Sequence, residues 1–309
     1  MKTFEFIAKS KYFAIGSALV ILLGIVMVFV QGFNMGLDFS GGSLITLEMG
    51  EEFAERDIRG AFAENGVKEV QVTTSGQGET RTTALVRLKT IEDGGEETAL
   101  RIAVIDSLKA KYPGVSMASV ERVGGVASGE MIQNALLAAA IACALMMVYI
   151  TFRFELLSGI AAVAALLHDL LIMLSFMAIF NLTINSSFVA AVLTIFGYSI
   201  NDTIVVFDRI RENRNRLSKK EYPFEAVANR SIRETMVRCI NTSVTTLIVI
   251  SALYILGVAS IKEFSLPIIV GLVSGTYSSI FIAAPIWSAL YDKPFFKKRH
   301  KNEMKYRKA

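Results

Sequence analysis

Few positions in this sequence carry chemistry, and the sharpest is a carboxylate placed where one is costly. Asp202 stands beside Asn201, about sixteen residues into the apolar run from Ser186 to Phe207, which is long enough to cross a bilayer. An ionisable side chain near the middle of such a run costs at least about 2.5 kcal/mol, so it faces protein or water and serves a purpose. On a helix, Ser199, Asp202, Val206 and Arg209 follow one another at steps of three and four, which draws a polar seam down one side. Burial disfavours a charged carboxylate and a nearby arginine favours it. A group whose access to water or to its cation changes can therefore take up and release protons. The competing role for Asp202 is a permanently neutral, hydrogen-bonded acid that fixes helix packing.

His168 and Asp169 form a second polar pair, in the run from Leu156 to Phe180. Adjacent helical residues point about 100 degrees apart, so these two are expected to find separate partners, in a proton relay or in satisfied packing. The same two roles are open to Asp208 and Arg209, where the Asp202 run ends. Arg233 and Arg238, just before the next run, are candidate counter-charges for Asp202, and snorkelling to the interface explains them nearly as well. Finally, Gly36-Leu37-Asp38-Phe39-Ser40-Gly41-Gly42 packs three glycines and an acid into seven residues, which makes a tight turn with room for close backbone approach.

The elements that must position these groups are membrane helices. The chain is 53% hydrophobic and 19% charged, with a mean hydropathy of +0.48, more apolar surface than a soluble fold of 309 residues needs to bury. Six runs reach bilayer length: Tyr12 to Val30, Met131 to Phe152, Leu156 to Phe180, Ser186 to Phe207, Cys239 to Ser260 and Phe264 to Tyr291. The first is too long for a secretory h-region and lacks a small-residue cleavage site, so it reads as an uncleaved span. Cys143 and Cys239 fall within or at the edge of spans, which argues against a structural disulfide.

Charge sets the expected orientation. Nine basic and five acidic residues lie between Asp208 and Arg238, and eight and two in the tail from Asp292, whereas the segment from Gln31 to Glu130 holds ten basic and sixteen acidic. Positive loops stay in the cytoplasm, so both termini are expected there and the long segment outside. The net charge of +4 then reflects topology and gives no evidence of nucleic-acid binding.

The expected organisation is a first span over 1–31, a periplasmic α+β domain over 32–130, five further spans over 131–291 with a cytoplasmic loop at 208–238, and a basic tail over 292–309. In the domain, Ser43 to Met49 alternates as a strand, Glu51 to Asn65 reads as an amphipathic helix stopped by Gly66, and Val67 to Thr74 and Arg81 to Lys89 read as strands joined through Ser75-Gly76-Gln77-Gly78. Glu96 to Tyr112 is a second helix and Val115 to Val123 a last strand. The order β-α-β-β-α-β is that of a ferredoxin-like sandwich. Gly124-Gly125 and Ser128-Gly129 read as a flexible joint. In the loop, Phe224, Val227, Ile232 and Met236 are expected to lie on the membrane surface while arginines reach lipid phosphates. No Gly-rich phosphate loop, Cys/His metal spacing or hydrolytic constellation is present, so nucleotide, metal and ordinary enzyme chemistry are unsupported.

At these motifs the sequence resembles the SecF family, the smaller membrane subunits of the SecDF auxiliary complex of the bacterial Sec translocase, within the resistance-nodulation-division superfamily. The likeness rests on the segment from Gly36 to Gly42 and, most specifically, on Gly197-Tyr198-Ser199-Ile200-Asn201-Asp202-Thr203-Ile204-Val205-Val206-Phe207-Asp208-Arg209. His168-Asp169 also fits, as do Ser231, Ile232, Thr235, Arg238, Thr242 and Ser243. The resemblance implies use of the proton-motive force to pull preproteins outward, with protons as coupling ion and no other cofactor. It implies roles in proton coupling for Asp202, Asn201 and Arg238. It also implies a SecD partner, the SecYEG translocon with YajC and YidC, and translocating preproteins. The family often carries Asn-Gln where Arg233-Glu234 stands here, which opens a different ion-pair network. Half of a small-molecule exporter of the same superfamily fits less well, because such pumps carry far larger outer domains and two fused halves. A membrane scaffold would tolerate Asp202→Asn, and a proton-coupled machine would not.

Overall fold

The computed structural model describes residues 4–67, 70–75, 82–88, 94–216 and 223–291. Its contacts divide the chain into two units, one from Met35 to Ala135 and one formed by the remainder.

The smaller unit alternates helices and strands. The first is a single turn, α2 (Leu37–Ser40), after the membrane helix α1 (Phe6–Gln31). Strand β1 (Gly42–Glu48), helix α3 (Glu55–Glu64), strands β2 (Val70–Ser75) and β3 (Thr83–Leu88), helix α4 (Gly94–Lys109) and strand β4 (Ser116–Val123) follow. The sheet is antiparallel throughout, in the order β2-β3-β1-β4. The β-α-β-β-α-β expectation holds, with element ends shifted by a few residues. Alternation explains why: Ile45 and Leu47 of β1 and Ala84, Val86 and Leu88 of β3 point to one face, where they pack with Ile58 and Phe62 of α3 and Val104 and Leu108 of α4. The turn expected at Ser75-Gly76-Gln77-Gly78 lies almost wholly outside the described residues. Of the residues expected at the glycine joint, Gly125, Ser128 and Gly129 lie in helix α5 (Gly125–Arg153), which begins two residues after β4 ends at Val123.

The larger unit holds the membrane helices. Among the described residues, six are long and apolar enough to cross a bilayer: α1, α5, α6 (Leu156–Ile179), α7 (Ser186–Arg216), α8 (Phe224–Leu256), and a last span in which α9 (Ala259–Ser278) passes through one π-helical turn, Ser279–Ala283, into α10 (Ala284–Tyr291). The start of α6 is fixed by a capping box in which Glu155 and Ser158 satisfy each other's backbone groups. In the last span 61% of the most apolar window is buried, against 6% for α5 and α8, so α9 is the centre of the bundle, packed on α6, α7 and α8.

One expectation is overturned at the loop. Pro223 caps α8, which then runs unbroken into the fifth span. Phe224, Val227 and Ile232 are therefore buried in the protein and do not lie on a lipid surface. Phe224 stacks on Tyr291 at 4.4 Å and meets Trp287 edge-on at 5.3 Å. A helix that continues from loop to membrane keeps its apolar face toward the same neighbours. The rest of that loop, 217–222, and the basic tail lie outside the described residues.

Candidate functional site

Asp202 is 6% exposed, on the side of α7 that meets α8 and α9. Its Oδ2 accepts from Ser243 Oγ of α8 at 3.2 Å, and Ser243 is in turn bonded to Thr276 Oγ1 of α9. The Cys239 thiol also reaches the carboxylate. Small residues make the space: Gly271, Gly275 and Thr276 of α9, Thr242 and Ser243 of α8, and Tyr198, Ser199, Asn201 and Asp202 of α7 line a narrow cleft. A Cβ on Gly275 would lie 3.0 Å from that of Ser199, so the glycine sets how closely α7 and α9 approach. Arg238 is exposed and makes no hydrogen bond to Asp202, yet it is the cation whose field reaches that carboxylate. Arg233 is exposed one turn earlier.

A second carboxylate lies deeper. The side chain of Asp169 is fully buried, and its two oxygens take four hydrogen bonds. Oδ2 accepts from Ser199 at 2.6 Å and Ser278 at 2.9 Å, and Oδ1 from Ser274 at 2.7 Å. The fourth partner is His168 Nδ1, 3.1 Å from Oδ1. This corrects the expectation that His168 and Asp169 would look in different directions. Their Cα atoms do diverge around the axis, but a long imidazole can lean back across one residue step, and the buried carboxylate has nowhere better to find its fourth donor. Ser274 and Ser278, one helical turn apart, are functional neighbours that sequence reasoning missed. Their signal was the pair of interleaved small-residue steps on α9, Gly271 to Gly275 and Ser274 to Ser278.

Comparison with known proteins shows the family. Residues 103–293 match the family described as "Protein export membrane protein SecD/SecF, C-terminal", and residues 26–51 match the "SecD/SecF GG Motif". The protein translocase subunit SecF of Sebaldella termitidis is 36% identical over 296 residues, covering 96% of this chain and 93% of that one. The chain belongs to the SecF family. SecDF of Bacillus subtilis is 37% identical to this SecF-family chain over 92% of it, but only 38% of SecDF is covered. The crystal structure of SecDF from Thermus thermophilus, titled a translocon-associated membrane protein, superposes with a TM-score of 0.83 at 33% identity, over 94% of this chain and 39% of that one. The chain thus spans about two fifths of the fused SecDF proteins. Its relatives are named as transport subunits, and six apolar helices make it a multi-pass membrane protein.

The other residues singled out in this SecF-family chain fall into two groups. In the GG segment, Leu37 and Phe39 are buried and Asp38 lies in the first turn of α2. Gly36 caps that turn, and Gly41 and Gly42 leave it at φ +67° and +114°, a region that favours glycine. Gly41 also runs close to backbone, since a Cβ there would lie 3.4 Å from Cα of Gly125. Beyond the membrane core of α7, Arg209 turns away from the Asp202 seam. It bonds Glu234 at 2.6 Å and Glu212, while Asn213 and Arg230 share Glu234. Asp208 pairs with Arg211 at 3.1 Å and Arg153 at 3.5 Å. Glu234 therefore organises a network apart from Asp202. Gly197 is exposed, with open space where a Cβ would stand.

Proposed function

We propose that this chain is a proton-coupled SecF subunit that uses the proton-motive force to promote the late stage of preprotein export, with SecD as partner beside the SecYEG translocon and with YajC and YidC as further associates. In this reading it sits in the bacterial cytoplasmic membrane, both termini cytoplasmic and the α+β domain outside, as the bias of lysine and arginine favours. Protons are the coupling ion, and no cofactor or covalent catalysis is involved.

The observation that carries the reading is Asp202: a carboxylate buried mid-span, hydrogen-bonded by a hydroxyl of the next helix, in a cleft that the field of Arg238 reaches. A carboxylate that alternates between that cation and water binds and releases a proton with each change of surroundings. The driving force is adequate, because each charge crossing gains about 2.3 kcal/mol per 100 mV. A second membrane subunit is favoured by what α7 and α8 leave uncovered. Tyr198 and Asn201, and Arg238, Asn241 and Thr245 at helical spacing, are exposed on spans that are otherwise apolar. Polar side chains in lipid are costly, and the bare Gly197 leaves room for another helix to approach.

The test is preprotein translocation into inverted membrane vesicles, with and without a proton gradient. Asp202→Asn should leave the chain assembled with its partners and ATP-driven translocation intact, and should abolish the gradient-dependent increment. Export that ignores both the gradient and the substitution would overturn the proposal.

A further inference from the structure

The pocket around Asp169 leaves one atom unexplained. A carboxylate offers about four lone-pair positions and only accepts. Those of Asp169 are filled by Ser199, Ser274, Ser278 and the His168 ring. The His168 contact is therefore made with the hydrogen on Nδ1, which leaves Nε2 with a bare lone pair. That nitrogen is buried and has no hydrogen-bond partner. A buried polar atom left unpaired costs about 1–3 kcal/mol and calls for a reason.

We infer that His168 Nε2 is a second proton-binding station of the membrane domain, at which an incoming proton makes an imidazolium held by the Asp169 carboxylate. The inference rests on the proton-coupled reading above. The step is simple: the Nε2 lone pair forms the new N–H bond, a hydronium ion that reaches the ring gives up the proton and leaves as water, and Asp169 balances the charge that appears on the ring. Ser199 joins the two sites, since it lines the Asp202 cleft and donates to Asp169.

The surroundings suit a reversible charge. Among the titratable groups on neighbouring helices, Tyr277 of α9 has its ring centroid 5.6 Å from that of His168, and Asp202 of α7 is separated from Asp169 by Ser199. Tyr277 is tied to α1 through its hydroxyl contact with Ser17 and its bond to the Phe13 carbonyl. Ser274 and Ser278 complete the α9 wall.

The chain has two histidines, and His300→Gln leaves His168 as the sole ring signal. The full chain, labelled at histidine nitrogen and reconstituted in liposomes, is followed by solid-state NMR between about pH 5 and 9, the range in which imidazole charge changes matter. The expected spectrum is a neutral ring protonated on Nδ1 at the alkaline end and a doubly protonated ring at the acid end. In Asp169→Asn the doubly protonated population should fall at least about tenfold at the same pH, because its counter-charge is gone. Ser274→Ala frees the oxygen that faces the ring of its other donor, so in that variant the doubly protonated population should rise, which serves if the asparagine variant does not fold. In the vesicle assay, His168→Gln should lose the gradient-dependent increment and keep ATP-driven translocation. A wild-type ring that holds one protonation state throughout overturns this station, as does a His168→Gln chain that responds fully to the gradient. Failure of the coupled reading itself would show separately, as gradient-dependent export that survives Asp202→Asn.

Discussion

A single methyl group on Gly271 should loosen the bundle, and the structure says which second substitution relieves it. A Cβ at Gly271 would lie 2.5 Å from Cγ1, 2.9 Å from Cδ1 and 2.9 Å from Cγ2 of Ile195, which is 1% exposed on α7. Carbon atoms prefer about 3.5–4.0 Å, so α7 and α9 must separate by about 1 Å, or Ile195 must leave its rotamer. Three of its carbons are in the way, and no single rotation clears them. Overpacking of this kind costs about 1–3 kcal/mol. Ile195→Val would not help, because valine keeps both γ carbons. Ile195→Ala removes all three clashing atoms at its own cost of about 2–5 kcal/mol for the cavity. In the double variant the methyl group added by Gly271→Ala enters that cavity, so the total cost should fall short of the sum of the singles by about 1–3 kcal/mol. The chain has one tryptophan, Trp287, which is 1% exposed and lies 4.7 Å from the Phe207 ring of α7. Its fluorescence during denaturation of the purified chain in detergent reports this packing directly. Strict additivity of Gly271→Ala and Ile195→Ala, or equal rescue by Ile195→Val, would refute the close-approach argument.

Other sites give independent checks. Glu234→Ala leaves Arg209, Arg230 and Asn213 without their shared acceptor and should cost about 1–2 kcal/mol, by the same fluorescence measurement, with the difference shrinking at high salt. Gly41→Ala places a side chain at φ +67° and 3.3 Å from Ser128 Oγ, so it should destabilise the α+β domain by about 1–2 kcal/mol, read as faster amide hydrogen exchange in β1. In the same domain, hydrogen bonds from Lys111 Nζ at 2.8 Å and Tyr112 Oη at 2.7 Å hold the Asp57 carboxyl below the usual carboxylate range. A carboxyl lowered in the folded state adds stability that is fully present above its ordinary value of 3.8 and is lost as pH falls through the lowered one. Asp57→Asn should therefore reduce exchange protection of α3 at neutral pH and flatten its loss in acid.

What was legible in the sequence was what local pattern determines. Length and apolarity marked the six spans, and alternation marked β1 and β3, because each property is written over consecutive residues. Asp202 was conspicuous for the opposite reason, as a charge where the pattern forbids one. The errors came where the partner was distant in the chain. Phe224, Val227 and Ile232 looked like a surface face because nothing nearby in sequence shows that Trp287 and Tyr291 of α10 cover part of it. The carboxylate pocket was half visible: His168 and Asp169 stood out, but Ser274 and Ser278 look like ordinary small residues of a packed membrane helix until the fold sets them against α6.

That arrangement sets α9 against both acids. One of its faces, Gly271 and Gly275, sets the approach of α7 beside Asp202, and another, Ser274 and Ser278, donates both hydroxyls to Asp169. Ser199 touches both, as wall of the first site and donor to the second. A charge change at Asp169 would act on hydrogen bonds that α9 donates, one at Asp202 would reach α9 through Ser243 and Thr276, and a packed interior does not deform smoothly to absorb either. The helix also carries features that let it adjust. Pro267 interrupts its ladder, and immediately after Ser278 the π turn Ser279–Ala283 widens it, where Ser279 bonds Thr203 of α7 at 2.9 Å, the Gly275 carbonyl at 2.9 Å and the Ser199 carbonyl of α7 at 3.4 Å. Such turns are rare and gather at functional sites. If the π turn is the joint, Ser279→Ala, which removes all three bonds, should change the gradient-dependent increment of export while leaving the His168 ring spectrum as it was. An altered ring spectrum would place Ser279 inside the Asp169 pocket's own hydrogen-bond network and remove the case for a separate joint.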